Sequence, residues 1–550
     1  MAVNIPGLTA VIAFYVIILA TGIWAAWKSR KEEKACTGTR SEIAMVGGRN
    51  LKFIIGTLTT SATYIGGGYI NGIAEMLYSP EGGLLWTQIP LGYAFGLICA
   101  SLFFVKPMRS NNYLTMIDPF QEKYGKKAGS IMFIPALLGS LLWAGAILAA
   151  LGSTMSVILD LRPSVCIILS TCVVVVYTLL GGLYSVAYTD VIQLIFMIIC
   201  MWICVPFAMV NKATENIAYT ALNEVYQTPW IGKVDLEHLG RWLDDLLFLT
   251  LGSIPWQEYF QRVFSMTSVS QAKMTSYCAA VFCIFLAIPS ALVGAVAAST
   301  DWNKTSYGLP APFERGESGM ILPIVLQYLC PAYVSVIGIG AIAAAVMSSA
   351  DSALLSSSSM FANNIYKNIL RKKASDRELL WVIRVSVVVF GTVASGLAFC
   401  SNSVYGLWFV SGELVYAIVF PQLICVLFIP NMNAYGSVAG FLVGLVMRLL
   451  AGEPFLNIAA VIQYPWYKII NGNPIQLFPF KTLTMLMALA VTVAVSYLTR
   501  FLSFHNPLHE KRKAYDVNRS HNVTSTPQGE ITSVSERVNN QISFTNSVSE

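Results

Sequence analysis

The segment AAAVMSSADSALLSSSS, residues 343–359, places hydroxyl and carboxylate oxygens within an otherwise apolar stretch. Oxygen atoms are the ligands that hard cations prefer, and a carboxylate at the centre of a membrane helix costs about 2.5–3.5 kcal/mol. Asp351 lies one helical turn beyond Ser348, so the two residues share a helix face. A second interpretation is that the serines only join packed helices. That interpretation is preferred for residues 356–359, and both stay open for Ser348 and Ser349.

Two apolar stretches contain residues that interrupt a helix. One is TYIGGGYING (63–72), with three consecutive glycines, and the other is LGSIPWQEYFQR (251–262), which contains Gly252 and Pro255. Proline removes a backbone hydrogen bond, and in a bilayer a freed backbone group must be satisfied by protein or line a cavity. One break alone is equally well explained by a kink. Two breaks at matching places in two halves of a chain favour a binding site.

The composition is that of a membrane protein. Of the 550 residues, 55% are hydrophobic and 12% are charged, whereas soluble domains carry about 25% charged residues. About 20 apolar residues span the bilayer core as a helix, so we predict an all-α polytopic membrane protein with thirteen transmembrane helices. The predicted spans are residues 7–27, 50–77, 84–105, 129–158, 163–183, 187–211, 241–265, 272–298, 332–366, 379–400, 404–429, 434–450 and 479–503.

The basic residues predict the orientation of these helices. The first, third and ninth connections are rich in Lys and Arg, whereas the second connection, LYSPEGGL, has neither. Since basic connections stay in the cytoplasm, the N-terminus is predicted outside and the C-terminus inside. The triplet that begins at Asn303 is a glycosylation sequon in the eighth connection, which this topology places outside. From residue 504 the chain is polar, so we expect 504–550 to be a disordered cytoplasmic tail.

The spans divide into two sets of five, at about residues 50–211 and 241–429, each beginning with an interrupted helix. Because five is odd, the second set enters the membrane from the opposite side, which gives an inverted repeat. The segment GGLYSVAYTDVIQ (181–193) resembles a signature of the sodium:solute symporter family, in which Gly-Gly precedes Thr-Asp. The resemblance implies a LeuT-type 5+5 inverted repeat within a transporter domain of residues 1–503, and sodium-coupled transport.

The same resemblance implies roles for individual residues. The common sodium site of the family combines backbone carbonyls of the first repeat helix with an alanine and two serines of the eighth. By motif, these positions are Ala62, Ile65, Ala345, Ser348 and Ser349. The Thr-Asp aspartate, Asp190, is associated with the sodium path toward the inside. Asp351 lies in the matched string AAVMSSADS, where it would bind a second sodium or lock a gate.

Longer strings are most similar to family members that transport choline, among them GGGYING, FVKPMRS, MIDPFQ, STDWN, ILPIVLQYLCP and PQLICVLF. A quaternary ammonium group has no N–H to donate, so it is held by aromatic faces, at about 2 kcal/mol or more for each desolvated contact. Lipid-facing packing is the alternative for each ring, and it is preferred for Trp86, Trp466 and Tyr467. The resemblance implies a choline site formed by Tyr64, Tyr93, Trp143, Trp256 and Trp408.

Four further charged residues have local interpretations. Asp244 and Asp245 open the seventh span, where they either draw cations inward or lie in water. Glu258 and Arg262 are four residues apart on one helix face, which favours a mutual ion pair.

The chain has no catalytic constellation, no metal-binding cysteine spacing and nothing that indicates nucleic acid, so we expect no enzyme activity and no cofactor. The resemblance implies choline, Na⁺, Cl⁻ and membrane lipid as partners, and it is compatible with a homo-oligomer. It also implies residence in the plasma membrane, extending to presynaptic and synaptic-vesicle membranes. Tyr64 stands where a tryptophan is expected, which leaves open a paralogue that carries another quaternary amine or small solute. A channel or a non-transporting sensor is the remaining alternative.

Overall fold

The computed structural model describes residues 5–33, 36, 38–159, 161–179, 182–399, 403–453, 458–470 and 473–504. The predicted tail therefore lies almost wholly outside the described residues. The helices of the first half are α1 (Ile5–Glu33), α2 (Arg40–Val46), α3 (Phe53–Tyr64), α4 (Gly67–Tyr78), α5 (Ile89–Cys99), α6 (Val105–Ser110), α7 (Asp118–Tyr124), α8 (Lys126–Gly129), α9 (Phe133–Leu159), α10 (Pro163–Thr178) and α11 (Leu183–Met209).

The second half is also helical, with one short antiparallel hairpin, β1 (Lys468–Ile470) and β2 (Asn473–Ile475). Its helices are α12 (Ile217–Thr220), α13 (Leu239–Leu251), α14 (Gln257–Ser265), α15 (Val269–Ala298), α16 (Ile321–Leu329), α17 (Ala332–Met360), α18 (Asp376–Ala398), α19 (Val404–Leu414), α20 (Phe420–Phe428), α21 (Ala434–Leu450) and α22 (Phe480–Phe504). Three π-helical segments, Ala100–Phe104, Phe361–Leu370 and Val415–Val419, extend α5, α17 and α19.

The predicted helical fold is confirmed. Each predicted span overlaps a described helix, and within the described residues eight helical segments are long and apolar enough to cross a membrane. Helices dominate because a backbone in lipid must satisfy its hydrogen bonds within the segment. The number of thirteen crossings and the orientation of the termini stay predictions. The structure adds short helices in the connections, such as α7 and α16, which the hydropathy pattern did not indicate.

The first interruption is shorter than the three glycines suggested. α3 ends at Tyr64, Ile65 has φ −94° and ψ 66°, and Gly66 is extended. Gly67 and Gly68 are helical and begin α4. Only two residues therefore separate the two half-helices.

The second interruption covers residues 252–256, between α13 and α14. Pro255 lies inside it, and Trp256 is extended, with φ −114° and ψ 133°. Both interrupted helices adjoin the centre of the bundle: α17 packs against α3, α4 and α14, and also against the long helices α9 and α11. The two breaks are thus brought to the same region of the interior.

A cluster of buried charges ties the second interrupted helix to the end of the chain. The Lys481 ammonium on α22 lies 2.5 Å from the Asp245 carboxylate on α13 and 2.7 Å from Glu413 on α19. Asp244 accepts hydrogen bonds from the backbone N–H of Lys481, at 3.0 Å, and from that of Thr482, at 2.8 Å. Both aspartates are buried, so they neither lie in water nor remain free to draw cations inward.

We expect Lys481→Met to destabilise the protein by about 3 kcal/mol, the lower end of the usual cost of breaking a buried ion pair, because the buried Asp245 and Glu413 each lose one of two cationic partners. The measurement is thermal unfolding of the purified protein in detergent. The matched control is Lys468→Met, which removes an ion pair with Glu237 in which both side chains are 49% exposed. Such an exposed pair contributes little to stability because solvent and salt screen it. Equal losses in the two variants would contradict a structural role for the cluster.

The predicted topology can be tested at Asn303, which is exposed in a short turn between α15 and α16. We expect Asn303→Gln to abolish a glycosidase-sensitive mobility shift, because the predicted orientation places this connection outside. The tail sequons provide the control: Asn518→Gln and Asn522→Gln should leave mobility unchanged. If the mobility shift were lost in the tail variants instead, the orientation would be the opposite of the predicted one.

Candidate functional site

A cavity lies beside both helix interruptions. The five aromatic residues predicted from the sequence all line it, so the structure brings together rings from five different helical segments. The complete lining is Thr63, Tyr64, Tyr93, Trp143, Phe248, Leu249, Gly252, Ser253, Trp256, Glu258, Tyr259, Trp408, Ser411 and Gly412.

The rings form two groups. Tyr64 and Tyr93 meet edge to face, with centroids 5.1 Å apart and planes at 88°. Tyr93 lies 5.9 Å from Trp408, and the Trp408 indole N–H donates to the Tyr93 hydroxyl at 3.1 Å. Trp143 and Trp256 form the other group, with centroids 5.6 Å apart. Edge-to-face contacts and the hydrogen bond hold these rings in fixed orientations beside the cavity.

Two of the rings also satisfy the backbone freed by the second interruption. The Trp256 indole N–H donates to the Gly252 carbonyl at 2.7 Å, and the Tyr64 hydroxyl donates to the Ser253 carbonyl at 3.0 Å. A buried carbonyl without a donor costs about 1–3 kcal/mol. Tyr64 ends the first broken helix and Ser253 lies in the second, so this hydrogen bond joins the two interruptions.

The third glycine of the GGG triplet makes room for one wall of the cavity. A Cβ on Gly68 would lie 2.9 Å from Cδ1 of Trp408, closer than such atoms approach. Tyr69, which also flanks the triplet, does not line the cavity. Its hydroxyl donates to the Cys283 carbonyl at 2.5 Å and its ring stacks on Tyr93. Tyr69 therefore supports the ring of Tyr93 from outside the cavity.

The predicted ion pair between Glu258 and Arg262 is wrong. Arg262 donates to Asp190 at 3.3 Å and to the Ser352 hydroxyl at 2.5 Å, and its other contact is with the backbone carbonyl of Glu258. The Glu258 side chain lies in the cavity and accepts from Ser140 at 3.0 Å. Helical spacing alone indicated a local partner, but Arg262 instead bonds side chains on two other helices, α11 and α17.

The candidate sodium ligands lie next to this cavity. The Ser349 hydroxyl is 3.3 Å from the carbonyl oxygens of both Ala62 and Thr63. Ile65 and Ala345, predicted as further carbonyl ligands, are both buried on the helices that meet here. Thr63 was missed by the sequence analysis, although the last carbonyls of any helix lack an intrahelical partner.

Ser348 faces a different neighbour. Its hydroxyl donates to Asp190 at 2.6 Å, and the Thr59 hydroxyl donates to the other oxygen of that carboxylate at 2.5 Å. Asp190 is thereby in direct contact with a predicted sodium ligand. Asp351 accepts from Thr178 of α10 at 2.6 Å, so the structure directs it toward α10 and not toward the α3 carbonyls that Ser349 contacts.

The sequence is similar to those of known proteins. Residues 45–444 match the Sodium:solute symporter family. The chain belongs to that family. It is 51% identical to the human high affinity choline transporter 1 over 518 residues, which cover 94% of this chain and 89% of the human protein. It is 45% identical to the high-affinity choline transporter 1 of Drosophila melanogaster, covering 91% of this chain and 79% of that protein.

The fold of this symporter family member is shared with a solved structure. A Na⁺-coupled sialic acid symporter in a substrate-bound, outward-open state superimposes with a TM-score of 0.70 over 90% of this chain and 97% of the other, at 17% sequence identity. The two chains therefore have the same architecture. With the family match, this identifies the helical bundle as a multi-pass membrane transporter.

The first interruption provides a test of the candidate sodium site. A Cβ on Gly66 would lie 2.0 Å from the Ser349 hydroxyl oxygen, so we expect Gly66→Ala to displace that hydroxyl and abolish stabilisation by Na⁺. Since a ligand stabilises the folded state that binds it, the measurement is the shift in thermal unfolding between Na⁺ and a bulky organic cation. Gly396→Ala is the control, because a Cβ there meets nothing within 4 Å. An unaltered Na⁺ shift in Gly66→Ala would place the ion elsewhere.

Proposed function

We propose that this symporter takes up choline across the plasma membrane, driven by sodium and operating by alternating access. The observation that carries the proposal is the cavity built from aromatic faces beside hydroxyl and carbonyl oxygens suited to Na⁺. Among the residues that the structure describes, its lining contains no Lys, Arg or His. A small organic cation therefore meets attractive faces and no opposing positive charge.

The chemistry of the lining fits a quaternary ammonium group. Such a group cannot donate a hydrogen bond, and a desolvated contact with an aromatic face is worth about 2 kcal/mol or more. The high identity to choline transporters of human and fly supports choline as the particular cation.

The same turn of helix serves both candidate sites, which supports coupling. Thr63 lines the cavity, and its carbonyl is in contact with the Ser349 hydroxyl. Tyr64, the next residue, presents its ring to the cavity. A sodium ion that fixes the end of α3 would therefore favour the conformation in which the ring is placed for an organic cation. Such differential affinity for two states is how one ligand promotes the binding of another.

The family resemblance extends the proposal to further properties. These are chloride dependence, the inverted repeats of 50–211 and 241–429, assembly into a homo-oligomer, and residence in presynaptic and synaptic-vesicle membranes. The roles of Asp190 in the sodium path and of Asp351 in a second ion site belong to the same group. The contact between Asp190 and Ser348 supports the first of these two roles.

The deciding experiment is uptake of labelled choline into cells that express the chain, in sodium and in sodium-free medium. We expect saturable, sodium-dependent uptake that Ser349→Ala abolishes. Trp143→Leu should weaken the apparent affinity for choline about thirtyfold, the equivalent of one desolvated cation–π contact. Trp466→Leu, at a tryptophan that is 64% exposed and does not line the cavity, is the matched control.

Three outcomes would count against parts of this proposal. Absence of choline uptake despite surface expression would exclude choline as substrate, and other quaternary amines would then be screened in the same cells. A choline-evoked current far larger than the uptake would favour the channel alternative. If Trp143→Leu and Trp466→Leu changed the apparent affinity for choline equally, the aromatic cavity would not be the choline-binding site.

A further inference from the structure

Glu258 is a carboxylate set into the wall of the aromatic cavity. It lies in the first turn of α14, immediately after the second interruption, and its side chain is 1% exposed. One oxygen accepts a hydrogen bond from Ser140 at 3.0 Å. The other oxygen, Oε2, has no hydrogen-bond partner among the described residues.

No cationic side chain of the described structure forms an ion pair with Glu258. The nearest in sequence, Arg262, is engaged by Asp190 and Ser352. Burial of a carboxylate without a cation is costly. Its position at the N-terminal end of a helix offsets part of that cost, since the helix dipole favours negative charge there. The cavity is thus an aromatic enclosure with one incompletely satisfied anionic group.

We propose that Glu258 is the counter-charge of the transported cation and selects positively charged molecules against neutral and zwitterionic molecules of the same shape. The inference rests on the proposed function and deepens it. Aromatic faces attract any quaternary ammonium group, including that of a betaine, whose own carboxylate is negative. A fixed carboxylate in the wall repels that second negative charge. The rings therefore recognise the ammonium group, and Glu258 excludes molecules whose net charge is zero.

The inference makes the charge of the ligand the variable to test. Choline and 3,3-dimethylbutan-1-ol have nearly the same shape, but the second has a carbon atom in place of the charged nitrogen. Binding of both is measured on the purified full-length protein in saturating sodium, by competition against labelled choline and by thermal shift. We expect Glu258→Gln to weaken choline binding about tenfold or more, the usual effect of removing one partner of a buried charge pair. Binding of the neutral isostere should be unchanged.

Glu75→Gln is the control for the loss of a partly buried carboxylate elsewhere. Glu75 lies on α4, accepts from Ser403 at 3.1 Å, has one oxygen without a hydrogen-bond partner, and does not line the cavity. Its substitution should leave the ratio of choline affinity to isostere affinity unchanged. If Glu258→Gln does not reach the membrane, Glu258→Asp replaces it; withdrawing the charge by one methylene should lower the same ratio by a smaller factor.

The outcomes separate this inference from the proposed function. A wild-type protein that neither binds nor transports choline would overturn both. Choline binding by the wild type, combined with equal losses for choline and its isostere in Glu258→Gln, would reduce Glu258 to a structural residue. If Glu258→Gln leaves the ratio of choline affinity to isostere affinity unaltered, Glu258 is likewise rejected as the counter-charge. Tighter binding of betaine by Glu258→Gln than by the wild type would support the exclusion of zwitterions.

Discussion

The structure depends on hydrogen bonds to the backbone carbonyl groups that become free where two helices are interrupted in the interior of a membrane protein. The Tyr64 hydroxyl, at the end of the first broken helix, donates such a hydrogen bond to the Ser253 carbonyl in the second interruption. The indole of Trp256 does the same for Gly252. Because water is excluded there, each unsatisfied carbonyl would cost about 1–3 kcal/mol. The side chains that complete the fold are therefore the same ones that line the cavity.

The glycine triplet shows how closely the two candidate sites are joined. Gly66 leaves space for the Ser349 hydroxyl, and Gly68 leaves space for the Trp408 ring. Gly66, immediately before α4, thus permits close approach at the candidate sodium site. Gly68, two residues later, permits close approach at the aromatic cavity. Neither has a positive φ, so the requirement is close approach and not a left-handed backbone. Any side chain at these positions would separate helices whose contact forms the binding region.

Much of this could be predicted from the sequence, because hydropathy reports burial in lipid directly and glycine and proline mark breaks locally. The helical intervals follow from those signals, whereas the grouping of five aromatic residues around one cavity was implied by the family resemblance. Pairings between distant segments do not. Arg262 bonds Asp190, 72 residues away, and the local rule for helical spacing assigned it to Glu258 instead. Asp244 and Asp245 were misread for the same reason, since nothing near them in the chain indicates Lys481.

The oppositely charged partners in the cluster around Lys481 are synthesised at very different times. Asp245 and Lys481 are 236 residues apart, and chains are synthesised at about 5–20 residues per second. Roughly 10–50 s therefore pass between the emergence of the acidic helix α13 and that of its basic partner α22. Throughout that interval, α13 carries two aspartates that have no neutralising cation on α22. α22, the last of the described helices, thus completes the electrostatics of a helix made much earlier, and a chain interrupted before residue 481 would never reach that state.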